Sequence, residues 1–304
     1  MAEELTVIEL VLGISLGVIA ASFFSLGAIF QKKGVMDIPE LQLSDAQSMK
    51  EMVKSRIWII GLVLGVSGGP MYMLSQAYIG VTLAQPLMGT GMIFTVIAGI
   101  KLFQENLSTF EYLGIGVIII APILLALGNV TKVSINLLSI EFILGCLIYY
   151  IPCIIATVLC LIGAKKSEKL AVPFYALVSG IMFGMGAVSS QIGVEAIKLW
   201  QFPEILIGII FLIGFAVGNA YGTLVIQLAF QKGKIITATP IQSAGNLILP
   251  IVGGVLIFNQ IILVPIFFYF GVVLILAGNF MLVRVQAKIE EMSTSVEEID
   301  EKKK

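Results

Sequence analysis

Histidine is absent from all 304 residues. Its absence removes the commonest general base, the side chain that titrates near neutral pH and the commonest metal ligand. Cysteine is scarce: Cys146, Cys153 and Cys160 all lie in apolar stretches, which gives neither a disulfide framework nor a CxxC zinc pattern. Charge is short too. Only 12% of residues are Asp, Glu, Lys or Arg, against about 25% in soluble domains. With 18 basic and 19 acidic residues the net charge is −1, so there is no basic face for nucleic acid. No nucleophile triad, P-loop or zinc cluster occurs, so neither an enzyme nor a cofactor is expected.

Apolar residues fill the gap. They make up 58% of the chain, with a mean hydropathy of +1.04, and the expected class is an all-α polytopic membrane protein. A helix needs roughly 20 apolar residues to cross the hydrocarbon core, and nine runs qualify: 5–30, 57–79, 82–100, 110–128, 137–164, 170–192, 205–230, 235–258 and 261–283. Each is expected to be helical, since a spanning backbone has no water to bond with. Met1-Ala2-Glu3-Glu4 puts acids where a signal peptide carries a basic region, so no cleaved signal is expected.

The basic residues test this count. With nine spans, one side collects 16 of the 18, and the other holds only Lys132 and Lys198. Positive residues stay cytoplasmic. The N-terminus is therefore expected outside and the C-terminus in the cytoplasm, most simply at the cell (plasma) membrane. The polar connection 34–56 carries Ser44-Asp45-Ala46-Gln47 with capping-box spacing. It reads either as an interfacial amphipathic helix or as a plain connector. Residues 286–304 form a charged tail.

An internal likeness divides the chain. Ala77 to Pro86, running on to Phe103-Gln104-Glu105, has a counterpart in Ala229 to Pro240, running on to Phe258-Asn259-Gln260. The turns in the two copies fall on opposite sides, so the likeness reads as inverted repeats; the competing reading is a chance likeness between two Pro-containing hydrophobic hairpins. Such repeats place substrate sites near the bilayer midplane, between halves that rock against each other. The expected units are 1–130 with four spans, 131–285 with five, and the tail.

Polar groups inside spans are costly and are functional candidates by default. Asn219, Thr223 and Gln227 recur every four residues in the seventh run, and Tyr72 and Gln76 do the same in the second. Gln85 precedes Pro86, and Thr239, Gln242 and Asn246 surround Pro240. A proline frees a carbonyl one turn earlier, which can face a cation or an amine. These nine residues form the candidate substrate site, a neutral amide-lined cavity; the competing reading is ordinary interhelical hydrogen bonding. Glu9, Glu141 and Glu195 lie near helix ends on the outer side. They read either as a mouth that attracts cations such as magnesium or as plain interfacial charge. Glycines at four-residue spacing (Gly13/Gly17, Gly61/Gly65/Gly69, Gly180/Gly184, Gly214/Gly218/Gly222) read as close-packing faces. The cysteines, seven apart, read as small packing residues.

Four blocks carry a resemblance: Phe24 to Gly34, Ala77 to Pro86 with Gln104-Glu105-Asn106-Leu107, Ser190 to Lys198, and Ala229 to Pro240. Through them most of residues 12–285 resembles the drug/metabolite transporter (DMT) superfamily, and within it the NIPA-type magnesium transporters. The resemblance implies a four-plus-five inverted-repeat bundle carrying magnesium or another divalent cation. Gln260 departs from the pattern, standing where superfamily members often carry Glu, which leaves Glu105 as the carboxylate at the repeat positions. The alternative is a gradient-coupled EamA-type exporter or permease of a small neutral or zwitterionic metabolite or drug. No span has a central Lys or Arg to balance an anionic substrate. The expected partners are magnesium or a small molecule and the lipid bilayer, with no nucleic acid.

Overall fold

A computed structural model of the chain describes residues 4–35, 54–103, 108–133, 135–232 and 235–301. Among the described residues the fold is all-α, with two isolated bridges, Glu4 to Thr131 and Val130 to Ile262. Gln104 to Leu107 and most of the connection 34–56 lie outside the described residues, so Glu105 and the interfacial reading of that connection do too.

Helix α1 is Val7–Val35. Thr6 and Glu9 start it with a reciprocal cap: Thr6 N and Oγ1 donate to Glu9 Oε2 at 2.9 and 2.8 Å, and Glu9 N donates to Thr6 Oγ1 at 3.3 Å. Helix α2, Arg56–Leu87, is capped by Ser55 and passes through a 3₁₀ turn, Met88–Thr90, into α3, Gly91–Phe103. Then come α4 (Thr109–Leu127), α5 (Ile140–Lys166), α6 (Glu168–Leu199), α7 (Glu204–Lys232), α8 (Ile235–Leu256) and α9 (Pro265–Glu301). Ser108 with Glu111 and Ser139 cap α4 and α5, so the first residue of each apolar run is marked by a side chain that satisfies its open amides.

Among the described residues eight helical segments are long and apolar enough to cross a bilayer, and the fold is that of an integral, multi-pass membrane protein. The difference from nine has a local cause. The expected second and third runs are one helical segment, Arg56–Ala98, 43 residues long. It reverses at Gly80, whose φ of 71° and ψ of 168° are not helical. L-residues avoid this region and glycine does not. The neighbours show the reversal. Gly34 meets Trp58, Gly27 meets Gly61 and Gly65, and Gly13 meets Ile79, so α1 and the first part of α2 are antiparallel. Beyond Gly80, Leu87 returns to Gly17 and Gly91 to Ala21 and Ser25, so the second part runs parallel to α1. The end of the molecule where α2 turns is called the Gly80 end below.

The same logic builds the other half. Ala196 meets Gly208, Gly193 meets Leu212, and Gly186 and Met182 meet Gly218, so α6 and α7 are antiparallel. Thr82 lies against Gly254 while Gln85 bonds Asn246, so α8 runs against the second part of α2. Helix α9 packs on α4 through Gly114, Gly271 and Gly278. Helix α6 lies deepest, with 61% of its spanning window buried against 11% for α7. Exposed Ile and Leu side chains cover the outward faces of α5 and α7, as a surface solvated by hydrocarbon requires. The described basic residues separate by end: Lys132 and Lys198 lie at the Gly80 end, and Lys33, Lys54, Arg56, Lys101, Lys165 and Lys166 at the other. Helix α9 runs past the expected limit of 283 to Glu301, since residues 284–301 contain no Gly or Pro to stop it.

Glycine spacing is a packing device here. A Cβ on Gly27 would stand 2.7 Å from Gly65 N and 2.8 Å from Gly61 O, both backbone atoms that cannot step aside. Gly69 has nothing within 4 Å of the same position. Gly27→Val should therefore lower stability by at least the ~1–3 kcal/mol of an overpacked core. Gly69→Ala should leave the melting midpoint of the purified protein unchanged, and equal midpoints for the two variants would refute this account.

Candidate functional site

A chain of hydrogen bonds crosses the centre of the bundle. Ser190 on α6 donates to Gln76 Oε1 at 2.7 Å. Gln76 Nε2 donates to Tyr72 Oη at 3.0 Å and to the Ala187 carbonyl at 3.0 Å. The Tyr72 hydroxyl donates to Gln85 Oε1, and Gln85 Nε2 donates to Asn246 Oδ1 at 2.8 Å. The chain joins both parts of α2 to α6 and α8. Gln76 and Ser190 are fully buried, and in a low-dielectric interior each member orients the next. The proline spacing contributes: Pro70 and Pro86 interrupt α2 on either side of the turn.

Two cavities meet at this relay. One, of about 500 Å³, is lined by Phe24, Gly69, Tyr72, Phe183, Phe215 and Asn219, among others. The second, of about 340 Å³, is lined by Met92, Thr95, Thr239, Ser243, Leu247 and Asn279, among others. They share Ser25, Gln85, Met88, Gln242 and Asn246. Both volumes far exceed the ~10–15 Å³ that one water needs. Among the described residues no Asp, Glu, Lys or Arg lines either. The space runs from the relay away from the Gly80 end, past Met88, Met92 and Thr95. Thr239 Oγ1 and Asn279 Oδ1 are buried in its wall with no hydrogen-bond partner.

Toward the Gly80 end the centre is closed. Gln260, 1% exposed, fills the turn. Its Oε1 accepts from Thr82 Oγ1 at 2.7 Å and Thr82 N at 3.4 Å. Its Nε2 donates to the carbonyls of Thr131 at 3.2 Å and Ile79 at 3.4 Å. A Cβ on Gly80 would run into this amide. Glutamine suits this position because two carbonyls need a donor that an ionised carboxylate lacks.

Most of the sequence-derived candidates converge. Tyr72, Gln85, Asn219, Thr239, Gln242 and Asn246 line the joined cavities, and Gln76 stands directly behind Tyr72. Thr223 does not line them: it is exposed, and its hydroxyl donates back to the Asn219 carbonyl at 2.8 Å. Four helical residues turn about 40° past a full circle, so the α7 stripe drifts off the cavity after Asn219. Tyr221 also faces outward, 40% exposed. The Gln227 side chain lies outside the described residues. Of the residues not singled out beforehand, Ser25, Thr95 and Asn279 contribute most; each is a polar group in an apolar run, the same signal that marked the others.

The three acidic residues do not form one site. Glu9 Oε1 pairs with Lys132 at 3.0 Å. Glu195 Oε1 is held by Lys198 at 2.8 Å and by Gln191 Nε2 at 2.8 Å. Lys198 also donates to the Ala77 carbonyl at 2.9 Å, which ties α6 to the Gly80 turn. Glu141 is exposed in the first turn of α5. Among the described residues no group of three acidic or sulfur side chains could hold a metal ion. Both lysines of this end sit on two of the three carboxylates, which weakens the field expected of an acidic mouth.

Fold and cavity together define a class: a polytopic membrane protein enclosing uncharged polar space that is blind at one end. Comparison with known proteins points the same way. The chain is 23% identical over 183 residues to the "Probable magnesium transporter NIPA9" of Arabidopsis thaliana, across 56% of this chain and 51% of that protein. The chain thus spans about half the length of the curated relative it matches. No protein-family model and no solved structure matches it.

Proposed function

We propose that this chain is not an enzyme but a transporter that moves magnesium, or another divalent cation, through the central cavity with most of its water retained. The observation that carries this is the lining: side-chain amides and hydroxyls converge where, among the described residues, no carboxylate does. Magnesium gives up water reluctantly and is commonly held through bound waters, and Gln85, Gln242, Asn246 and Thr239 offer such waters neutral partners. The likeness to a protein named as a magnesium transporter supports the cation.

Residues 1–130 and 131–285 serve as the two inverted halves, supported by the opposed course of the second part of α2 and of α8. Helix α5 has no mate in the first half. With the basic end in the cytoplasm, as the charge rule requires, the N-terminus is outside, the C-terminus inside, and the cavity faces inward. The cell membrane is the proposed location. The uncharged lining among the described residues is also compatible with a second reading, permeation of a small neutral metabolite.

Magnesium uptake into proteoliposomes, followed by an entrapped indicator, separates the two. Cobalt(III) hexammine, whose ligands do not exchange, should compete if the ion crosses hydrated. Indicator traces identical to those of protein-free vesicles would end the cation reading.

A further inference from the structure

A third cavity, of about 380 Å³, lies between α8 and α9. Its walls are mainly apolar: Pro240, Ala244, Val273, Ala277, Phe280 and Val283. Its inner end is not. Thr239, Ser243 and Asn279 line this cavity and the central one alike. There Thr239, 7% exposed, has an unpartnered hydroxyl, and Asn279 an unpartnered buried Oδ1. Its outer end is lipid-facing. Val273 and Phe280 are each 55% exposed and continue a stripe with Ile266 and Phe270 along α9, a face that hydrocarbon solvates.

The geometry points to a lateral binding site for a single-chain amphiphile with a neutral, hydrogen-bond-donating head. The tail lies in the groove between α8 and α9, open to the lipid. The head reaches the inner end, where an alcohol donates to Asn279 Oδ1 and accepts from the Thr239 hydroxyl. The head is an alcohol or amide and not an anion, for two reasons. An ionised carboxylate has no proton for Asn279 Oδ1, and among the described residues no Lys or Arg lines the cavity to offset its charge. This site shares Thr239, Ser243 and Asn279 with the central cavity, but the labelling below reads the groove itself and does not depend on transport.

The test uses the full chain in nanodiscs and hexadecanol bearing a tail diazirine and a terminal alkyne. After irradiation, adducts should concentrate in residues 239–244 and 273–283. Unlabelled hexadecanol at roughly ten times its dissociation constant should reduce them about tenfold by mass action, whereas palmitate at the same concentration should not. Ala277→Trp should remove the adducts by filling the groove. The double variant Thr239→Val, Asn279→Leu should keep the melting midpoint but abolish the preference for alcohol over acid, so the proposal survives a failure of Ala277→Trp to fold. Adducts spread evenly over lipid-facing positions such as Ile148 and Ile155, or displaced equally by palmitate, would mean annular lipid with water at the inner end, and the site would be lost.

Discussion

Gln260→Glu lowers the stability of the protein by about 3–5 kcal/mol at neutral pH, the scale expected for an uncompensated buried charge. The amide is 1% exposed and works in both directions, accepting from Thr82 and donating to the Ile79 and Thr131 carbonyls. An ionised carboxylate keeps the first contact and sets its negative oxygen against the other two. Burial without a cation raises the pKa of an acid in the folded state. The penalty is therefore absent below the unfolded value, ~4.3 for Glu, and grows as pH rises above it. The melting midpoint of Gln260→Glu should accordingly fall between pH 5 and pH 8 relative to the parent, measured in one detergent. Gln260→Leu separates charge from hydrogen bonding. It strands Thr82 and two carbonyls at ~1–3 kcal/mol per group, but its deficit should not change with pH. A deficit for Gln260→Glu that is constant with pH would show that the turn admits water.

The two variants also bear on gating. The Gln260 layer closes the Gly80 end, and Lys198 ties α6 to the Ala77 carbonyl beside it. For the cavity to face that end, contacts among Thr82, Thr131 and Gln260 must break, so a weakened layer should favour the opposite-facing state. Cysteines introduced beside Thr95 and beside Ile79 report this directly. Gln260→Leu should raise thiol accessibility at the second position and lower it at the first, as a shift between two exclusive states requires.

Much of this arrangement was readable beforehand because a bilayer restricts what polar residues can do. An apolar run must be helical, and an amide within one must find a partner. These two facts alone locate most spans and bring Tyr72, Gln85 and Asn246 together, although 72 and 246 lie on separate runs. Three features escaped. The fold-back at Gly80 joins two runs, because the flanking residues 77–87 pack well enough to continue as helix on both sides of one non-helical glycine. Thr223 looked like part of a stripe, but a four-residue interval is only an approximate helical period, and its hydroxyl is satisfied by its own helix. The field of the acidic mouth is weaker than expected because Lys132 and Lys198, the two cations expected at that end, sit on Glu9 and Glu195. Pairing depends on side-chain reach across helices, and a linear sequence does not carry that information.

Gln85→Leu is expected to reduce transport at least tenfold while the protein remains inserted and folded. Gln85 sits midway in the relay, accepting from Tyr72 and donating to Asn246 at 2.8 Å. Leucine has a similar bulk, so the apolar contacts survive, but the Tyr72 hydroxyl and the Asn246 amide both lose a partner. Each hydrogen bond is worth about 0.5–1.5 kcal/mol net, and tenfold corresponds to ~1.4 kcal/mol. The larger consequence is orientational: without Gln85, the Asn246 amide can turn its oxygen or its nitrogen toward the cavity. Gln85→Glu then distinguishes the substrates. A carboxylate at this position would attract a divalent cation out of its neutral path, so apparent affinity for magnesium should rise while maximal uptake falls. For a neutral solute the same change supplies only a desolvated charge, and affinity and maximal rate should fall together. Half-saturation and maximal rate measured on the two variants decide between these outcomes. Wild-type kinetics in Gln85→Leu would show that substrate does not pass the relay at all.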